Sequence, residues 1–212
     1  MAFNELIRLG ASAAGAYEIE KSLRFNAGDT AHLTYTPGGA GDSRQMTFSF
    51  WVKRSSIGTT DSATNYLWTA WNGSNTDRIG FTSDDQLIIE LKDGGSTEAE
   101  WHTDYLFRDP SAWYHIVVAF DTEQGTTDNR MKLYVNGTLI TDFDTKNTVG
   151  EDYDLEGFNT VNMHTIGRYQ ADATTGGNSY LSGYMAEIHF IDGTQKAASD
   201  FGETDTVTGQ WI

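Results

Sequence analysis

The sequence of 212 residues contains no cysteine and only two prolines. Without cysteine, the chain has no disulfide bond, no thiolate zinc site and no cysteine nucleophile. This composition suits a protein assembled in a reducing cytoplasm, although a secreted bacterial protein can also lack cysteine. A chain of this length fits one large domain and can bury a substantial core without cross-links.

Positive charge is scarce, because 14 Lys and Arg residues stand against 30 Asp and Glu residues, giving a formal net charge of −16. Such an acidic surface repels the nucleic-acid backbone and anionic lipids. We therefore expect no nucleic-acid partner, and a preference for neutral or cationic partners and divalent cations. The alternative interpretation is that the charge only keeps the surface soluble.

Long hydrophobic runs are also lacking, and none approaches the roughly 18 residues that a membrane-spanning helix needs. Near the N-terminus, Glu5 and Arg8 interrupt the stretch that would form the apolar centre of a signal peptide. The sequence thus predicts neither insertion into a membrane nor a standard secretion signal.

Short runs of aromatic and β-branched residues, separated by Gly, Thr, Asn and Asp, predict an all-β domain. From Met46 to Val52, apolar and polar residues alternate, which predicts a strand with its apolar residues on one face and Thr47 and Ser49 on the other. Residues 113–120 are apolar on both faces, which predicts a central strand covered on each side. Asn136-Gly137 separates two alternating runs and predicts a hairpin with a type I′ turn.

Three parts of the chain differ in composition: an N-terminal arm (residues 1–21), a β-sandwich (22–203) and a C-terminal tail (204–212). The tail ends in the apolar pair Trp211-Ile212, which suggests that the chain continues or that the pair packs against something. An apolar arm on an acidic domain favours docking on a partner, and a disordered leader is the alternative. The arm's candidate docking residues are Phe3, Leu6, Ile7 and Leu9.

Several of these runs together resemble a known family. The stretch from Thr47 to Ser55 resembles an early strand of the laminin G-like branch of the concanavalin A-like lectin/glucanase superfamily. Ala112 to Asp121, followed by Leu133 to Gly137, is similar to that branch's signature, and Leu181 to Asp192 to its closing strand. The resemblance implies a two-sheet antiparallel jelly roll, with His115 as a structural residue of the signature.

The last strand departs from this family. Laminin G-like relatives commonly open it with an Asp-Glu pair, but this chain has Ala186-Glu187, which puts an inherited calcium site there in doubt. Alternation along the strand predicts that Ala186, Ile188 and Phe190 face the core, with Glu187 and His189 on the opposite face.

The two ends of the chain, Met1 to Ile19 and Phe190 to Glu203, resemble structural proteins of tailed bacteriophages, notably marine ones. This resemblance implies a non-enzymatic virion protein, such as a tail or head fibre, assembled in the host cytoplasm. Its arm would bind other virion proteins and its sandwich would contact host-surface glycans or decorate the particle. Phage fibres are commonly trimeric, which implies a homotrimer. A free carbohydrate-binding lectin of a bacterial surface and a glycoside hydrolase remain as alternatives.

Lectin sites stack aromatic rings on pyranose faces and bring polar side chains to the sugar hydroxyls. Two pairs have this chemistry, Trp71-Asn72 at a predicted strand end and Trp101-His102. Burial in the core is the alternative for each tryptophan. Trp51 opposes the inward face of its strand, so loops or a partner should cover it.

Calcium prefers several oxygen ligands, usually from Asp, Asn and backbone carbonyls. Asp121, Asp128 and Asn129, around one polar loop, are a candidate set. Further candidate ligands are the paired acids Asp84, Asp85, Asp152 and Asp154. Aspartate is also an ordinary residue of β-turns, which is the alternative for each cluster.

Retaining glycoside hydrolases need two carboxyl groups about 5–5.5 Å apart. The nearest pattern is Glu98-Ala99-Glu100 with Asp104 beyond it, and alternation places Glu98 and Glu100 on one face. The central acid of the glucanase pattern is missing and the third position is His102, so a solvated acidic face is the favoured interpretation.

Overall fold

The computed structural model of the protein describes residues 19–58, 65–169 and 179–212. These residues form two antiparallel β-sheets packed face to face, which confirms the predicted all-β sandwich. No helix within the described ranges is long and apolar enough to cross a membrane.

The first sheet has six strands. In spatial order they are β1 (Leu23–Phe25), β13 (Gly183–Asp192), β3 (Gln45–Arg54), β8 (Tyr114–Asp121), β9 (Met131–Val135) and β10 (Thr138–Leu139).

The second sheet has seven strands. In spatial order they are β11 (Phe143–Asn147), β7 (Ser96–Leu106), β6 (Gln86–Asp93), β5 (Thr76–Phe81), β4 (Asn65–Trp71), β12 (Met163–Ile166) and β2 (Leu33–Tyr35). Short helical turns lie at Ala27–Asp29, α1 (Thr127–Arg130) and Ala198–Asp200.

The core lies between the sheets and is rich in aromatic rings. The predicted alternation of β3 is confirmed, because its inward side chains are fully buried. Phe48 of this strand packs edge-on against Trp68 of the facing sheet, with ring centroids 5.0 Å apart, and lies 4.6 Å from Phe158. Such close aromatic contacts hold the two sheets together.

Two further predictions about strands are confirmed. All eight residues of β8 are buried, and the strand lies between β3 and β9. The loop joining β9 to β10 consists of Asn136 and Gly137, with φ values of 47° and 77°. Two central residues with positive φ define the type I′ turn.

Strand β13 contains a β-bulge that sequence alternation did not reveal. Ala186 pairs with Trp51 and His189 pairs with Ser49, so one extra residue lies on β13 between these pairs. Glu187, at the bulge, has a φ of 46°. The extra residue reverses the phase of the strand. Ile188 and Phe190 therefore pack on the core as predicted, but the prediction for Ala186 is wrong, since it shares the outer face with Trp51.

The outer face of the six-stranded sheet is covered by residues 194–212, which we call the C-terminal segment. Thr47 of β3 donates its hydroxyl hydrogen to the carbonyl of Thr194 (2.7 Å) and accepts a hydrogen bond from the Lys196 backbone N–H (2.8 Å). Farther along, Glu203 and Ile212 exchange two backbone hydrogen bonds of 2.9 Å. The chain end thus folds back so that Trp211 contacts His115 of β8, while residues 206–210 are exposed.

Candidate functional site

An open cleft of about 930 Å³ lies between the C-terminal segment and the outer face of the six-stranded sheet. Trp51 comes from β3 and Trp113 from the turn before β8, while Phe201 and Trp211 belong to the C-terminal segment. All four side chains are half-buried, so part of each ring is solvent-accessible. We call this site the aromatic cleft.

His115 in the floor of the aromatic cleft holds Trp211 in place. The Trp211 indole N–H donates to His115 Nδ1 (2.9 Å), and the two rings stack with an interplanar angle of 19°. Because indole N–H is only a donor, Nδ1 must accept, and the imidazole proton lies on Nε2. Nε2 then donates to the hydroxyl of Ser49 (2.9 Å).

This neutral form of His115 agrees with its environment. Burial, followed by the charge of nearby His189, lowers the pKa of His115 from its ordinary 6.5 to about 4. The imidazole is therefore neutral at pH 7, and both of its nitrogens are used within the protein. His115 is a structural residue of the cleft, as the family signature implied.

Polar groups surround the aromatic rings on the β13 and C-terminal sides. Glu187 and His189 approach each other, with Oε2 and Nε2 3.4 Å apart. Asp200 accepts a hydrogen bond from the Ala197 backbone N–H (2.9 Å), and Glu203 is exposed at the rim. Glu187 lies at the bulge and lines the aromatic cleft. Bulges are common beside functional sites.

Half-exposed rings beside carboxylates and an imidazole are the combination that binds carbohydrate. A ring covers the C–H face of a pyranose, while carboxylates accept hydrogen bonds from its hydroxyls. The aromatic cleft is therefore the candidate functional site.

A second, larger cleft of about 1290 Å³ opens between the edge strands β1 and β2. Its wall is mainly apolar and includes Leu33, Tyr35 and Ile188. In its floor, Trp68 donates its indole N–H to His164 Nδ1 (3.1 Å). Within the described residues, the buried Nε2 of His164 has no hydrogen-bond partner. Glu20, Lys21 and Glu187 line this cleft as well as the aromatic cleft, but Trp68, the tryptophan of its described lining, is only 7% exposed.

The four residues that the sequence predicted as glycan contacts lie in two places, at the end of β4 and on β7. Trp71 is half-buried at the end of β4, and the side-chain oxygen of exposed Asn72 accepts backbone hydrogen bonds that close the next turn. Trp101 is only 2% exposed and packs against Phe143 in the interior. Its ring offers no face to a ligand, and the prediction for Trp101 is wrong because the side chain faces the core between the sheets. His102, on the opposite face of β7, is 3.1 Å from Glu100.

The candidate calcium ligands are already engaged with other groups. Asp121 accepts a hydrogen bond from Gln124 (2.6 Å), and Lys146 Nζ lies 2.8 Å from Asp128 Oδ1 and lowers the pKa of that carboxyl. The backbone carbonyl of Asn129 accepts from Gln195 (2.8 Å). Each of the three residues therefore already has a partner within the protein.

The other acidic pairs bind arginine. Arg44 forms ion pairs with Asp152 (3.1 Å) and Asp154 (2.9 Å), and Asp85 pairs with buried Arg54 (2.9 Å). In the part of the chain that the structure describes, no group of three or more His, Cys, Asp or Glu side chains is placed to hold a metal.

Glu98 and Glu100 lie on the less buried face of β7, as alternation predicted. Glu100 is paired with His102, and its cross-strand neighbour is Glu90, which forms ion pairs with Arg78 and Lys92. The candidate docking residues of the arm, Phe3, Leu6, Ile7 and Leu9, lie outside the described residues.

The sequence alone did not predict the aromatic cleft, although the positions of two of its residues indicated that they are covered. Trp51 opposed the inward face of β3, and Trp211 closed an apolar terminus. Both features indicated that the outer face of the sheet is covered. Nothing local showed that both rings contact the same residue, His115.

A family model described as the concanavalin A-like lectin/glucanases superfamily matches residues 25–199. No curated protein sequence matches the chain. Solved structures do match, at low sequence identity.

Domains LG4-5 of the mouse laminin α1 chain align with a TM-score of 0.58 and 12% identity, covering 90% of this chain and 46% of that one. The carbohydrate-binding module CBM40 of the Ruminococcus gnavus IT-sialidase, bound to α2,3 sialyllactose, aligns with a TM-score of 0.52 and 15% identity over 79% of this chain and 95% of the module. A heptameric SAP-like pentraxin from Limulus polyphemus aligns with a TM-score of 0.51 and 18% identity, covering 75% and 68% of the two chains.

At these identities, the structural matches establish the fold alone, and they agree with the two-sheet topology. The family model covers most of the sandwich, from the end of β1 to the turn after β13. The chain belongs to the concanavalin A-like lectin/glucanase superfamily.

Proposed function

We propose that this chain is a non-enzymatic virion protein of a tailed bacteriophage, in which the aromatic cleft binds a glycan of the host surface. The observation that carries the glycan-binding part is the group of half-exposed rings beside Glu187 and His189. Solved structures of similar fold include a sialidase module bound to sialyllactose and a botulinum neurotoxin type C whose cell entry depends on two ganglioside molecules. These neighbours support glycan binding by this fold.

A non-catalytic role is supported by the ion-pair partners of the carboxylates on β6 and β7. Glu100 is paired with His102, and Glu90 is buried between two cations. Release of reducing sugar from polysaccharides, abolished by Glu100→Gln, would instead establish the hydrolase alternative.

Glycan binding is tested by screening the folded protein on a glycan array and measuring the best ligand by calorimetry. Trp113→Ala should weaken binding at least tenfold, because burying an aromatic side chain contributes about 1.5–3 kcal/mol. Trp71→Ala is the matched control, since Trp71 is also half-buried but lies in the other sheet. Both variants should keep the wild-type circular dichroism spectrum. A loss confined to Trp71→Ala would move the site to the seven-stranded sheet.

The virion role rests on the resemblance of the chain ends to phage structural proteins, with residues 1–21 binding other virion proteins in a homotrimer. Deleting residues 1–21 should abolish incorporation into particles while the sandwich remains folded. Normal incorporation of the truncated chain would refute this role for the arm. A chain that binds glycan but never copurifies with particles would be the bacterial surface lectin.

A further inference from the structure

The charged groups of the aromatic cleft are mostly negative. Four acids line it, and Lys21 is the fixed cation among the described lining residues. Those acids are Glu20, Glu187, Asp200 and Glu203. The side chains of Glu187 and Asp200 are 34% and 41% exposed, so both carboxylates are accessible from solvent.

The cations near these acids do not cancel the charge. Lys196 Nζ lies 3.5 Å from Asp200 Oδ1 at the surface, where screening by water makes the pair weak. His189 lies beside Glu187, and His115 is neutral with both nitrogens used. The net charge of −16 adds a long-range potential of the same sign.

An acidic sugar is bound best by arginine, which the described lining of this cleft lacks. Carboxylate and sulfate groups are bound most strongly by arginine, through paired charge-assisted hydrogen bonds. No arginine belongs to the described lining of the aromatic cleft. A neutral sugar fits better, because its hydroxyls donate to Glu187 and Glu203, and a free amino group on the sugar adds an ion pair.

We propose that the aromatic cleft binds neutral and amino-bearing glycans and rejects sialylated and sulfated ones. This inference rests on the proposed glycan-binding function and assigns its ligand class. It distinguishes this chain from the sialidase module of similar fold, which has been solved with α2,3 and α2,6 sialyllactose. Discrimination by like-charge repulsion is a common route to specificity.

The test compares matched glycans that differ only in charge. The probes are lactose, 3′-sialyllactose, chitotriose and its N-deacetylated form, measured with the full chain by calorimetry at low and high salt. Lactose should bind at least tenfold more tightly than 3′-sialyllactose, and the deacetylated sugar more tightly than chitotriose. Both differences should shrink as salt rises, because exposed charges are screened.

Charge reversal at the rim of the aromatic cleft gives an independent test. Glu203→Lys should raise binding of 3′-sialyllactose relative to lactose at least threefold, whereas Glu123→Lys, at the far end of β8, should leave the ratio unchanged. Equal or tighter binding of 3′-sialyllactose by the wild-type chain would overturn the ligand class while leaving glycan binding intact. Absence of binding to every probe and to the array would overturn both the ligand class and the proposed function.

Discussion

His115 shows how one residue positions a site without offering a group to the ligand. Its Nδ1 accepts from Trp211 and its Nε2 donates to Ser49, so a single tautomer satisfies both partners. Trp51 also packs on this imidazole, with ring centroids 5.0 Å apart. Phe201 contacts it as well, so three of the four rings of the aromatic cleft pack against one buried histidine.

Arg54 and Asp85 form a second arrangement at the residue scale. Arg54 ends β3, is 1% exposed and contacts Asp85 in the turn between β5 and β6 of the facing sheet. Burial alone would raise the pKa of Asp85, but hydrogen bonds from the Gly58 N–H and Arg108, with the charge of Arg54, hold it below its ordinary value. The ion pair ties the two sheets together.

We predict that Asp85→Asn lowers the free energy of unfolding by about 3 kcal/mol, because it leaves a buried guanidinium without its counter-charge. Asparagine tolerates the positive φ of 69° at this position, so backbone strain does not contribute. Asp84→Asn, at the exposed neighbour, should change stability by less than about 0.5 kcal/mol. Urea denaturation of the three proteins measures the difference, and equal midpoints would show that the pair contributes nothing.

At the scale of elements, the bulge in β13 decides which side chains reach the aromatic cleft. Without the extra residue, Ala186 would face the core, as simple alternation predicts. With it, Met185, Ile188 and Phe190 contact the core, while Ala186 and His189 lie on the outer face. The unusual φ of Glu187 is the local cost of this change of phase.

The hairpin between β9 and β10 also supports the C-terminal segment. Gly137 lies directly beneath the indole of Trp211, and a side-chain carbon added there would overlap the ring. The turn thus needs glycine at this position both for its positive φ and for the close approach of Trp211.

We predict that Gly137→Ala lowers the free energy of unfolding by about 1–2 kcal/mol and loosens the C-terminal segment. Hydrogen exchange should show faster exchange of the Ile212 and Glu203 amides, which pair with each other. Gly150→Ala is the control, because no atom lies within 4 Å of its added carbon. Slow exchange at Ile212 in Gly137→Ala would contradict the proposed contact with the turn.

At the scale of the whole molecule, three buried groups set the dependence of stability on pH. Burial lowers the pKa values of His115 and His164 from 6.5 to about 4, with His189 adding to the effect at His115. Burial raises the pKa of Asp77 from 3.8 to about 7, against the opposing effect of hydrogen bonds from the Phe158 and Gly157 N–H groups. Between about pH 4 and 6.5, the two histidines are therefore neutral in the native protein but protonated in the unfolded chain. Between about pH 3.8 and 7, Asp77 is protonated in the native protein but ionised in the unfolded chain.

The histidines stabilise the fold fully above pH 6.5, and this contribution is lost as pH falls toward 4. Asp77 acts in the other direction, since its contribution is present below pH 3.8 and is lost as pH rises through 7. Between pH 4 and 6.5 the unfolded chain binds two of these protons and the native chain one, so stability rises by roughly 1.4 kcal/mol per pH unit. Near pH 7 the two effects cancel, because the histidines of the unfolded chain and Asp77 of the native chain lose their protons together, so stability levels off there.

We thus predict that stability rises from pH 4 and levels off near pH 7, measured as the urea midpoint between pH 4 and 8. Asp77→Asn removes the proton that Asp77 binds in the native state, so the rise between pH 4 and 6.5 should become about twice as steep. The readout is the slope, which does not depend on how much the variant destabilises the fold. A profile unchanged by Asp77→Asn would contradict the raised pKa of this carboxyl.

Much of the fold follows from the sequence alone, because strand patterns and turn chemistry are local. The alternation of β3, the two apolar faces of β8 and the turn at Asn136-Gly137 each depend on a few consecutive residues. The superfamily was indicated separately, by the resemblance of several of these stretches to its motifs.

The site was decided by tertiary structure. Trp51 and Trp211 lie 160 residues apart, yet both contact His115. Trp101 was a candidate glycan contact but faces the core, and Asp154 was a candidate metal ligand but pairs with Arg44. A local pattern states which residues can be buried or bound, but the partner that buries or binds them comes from a distant part of the chain.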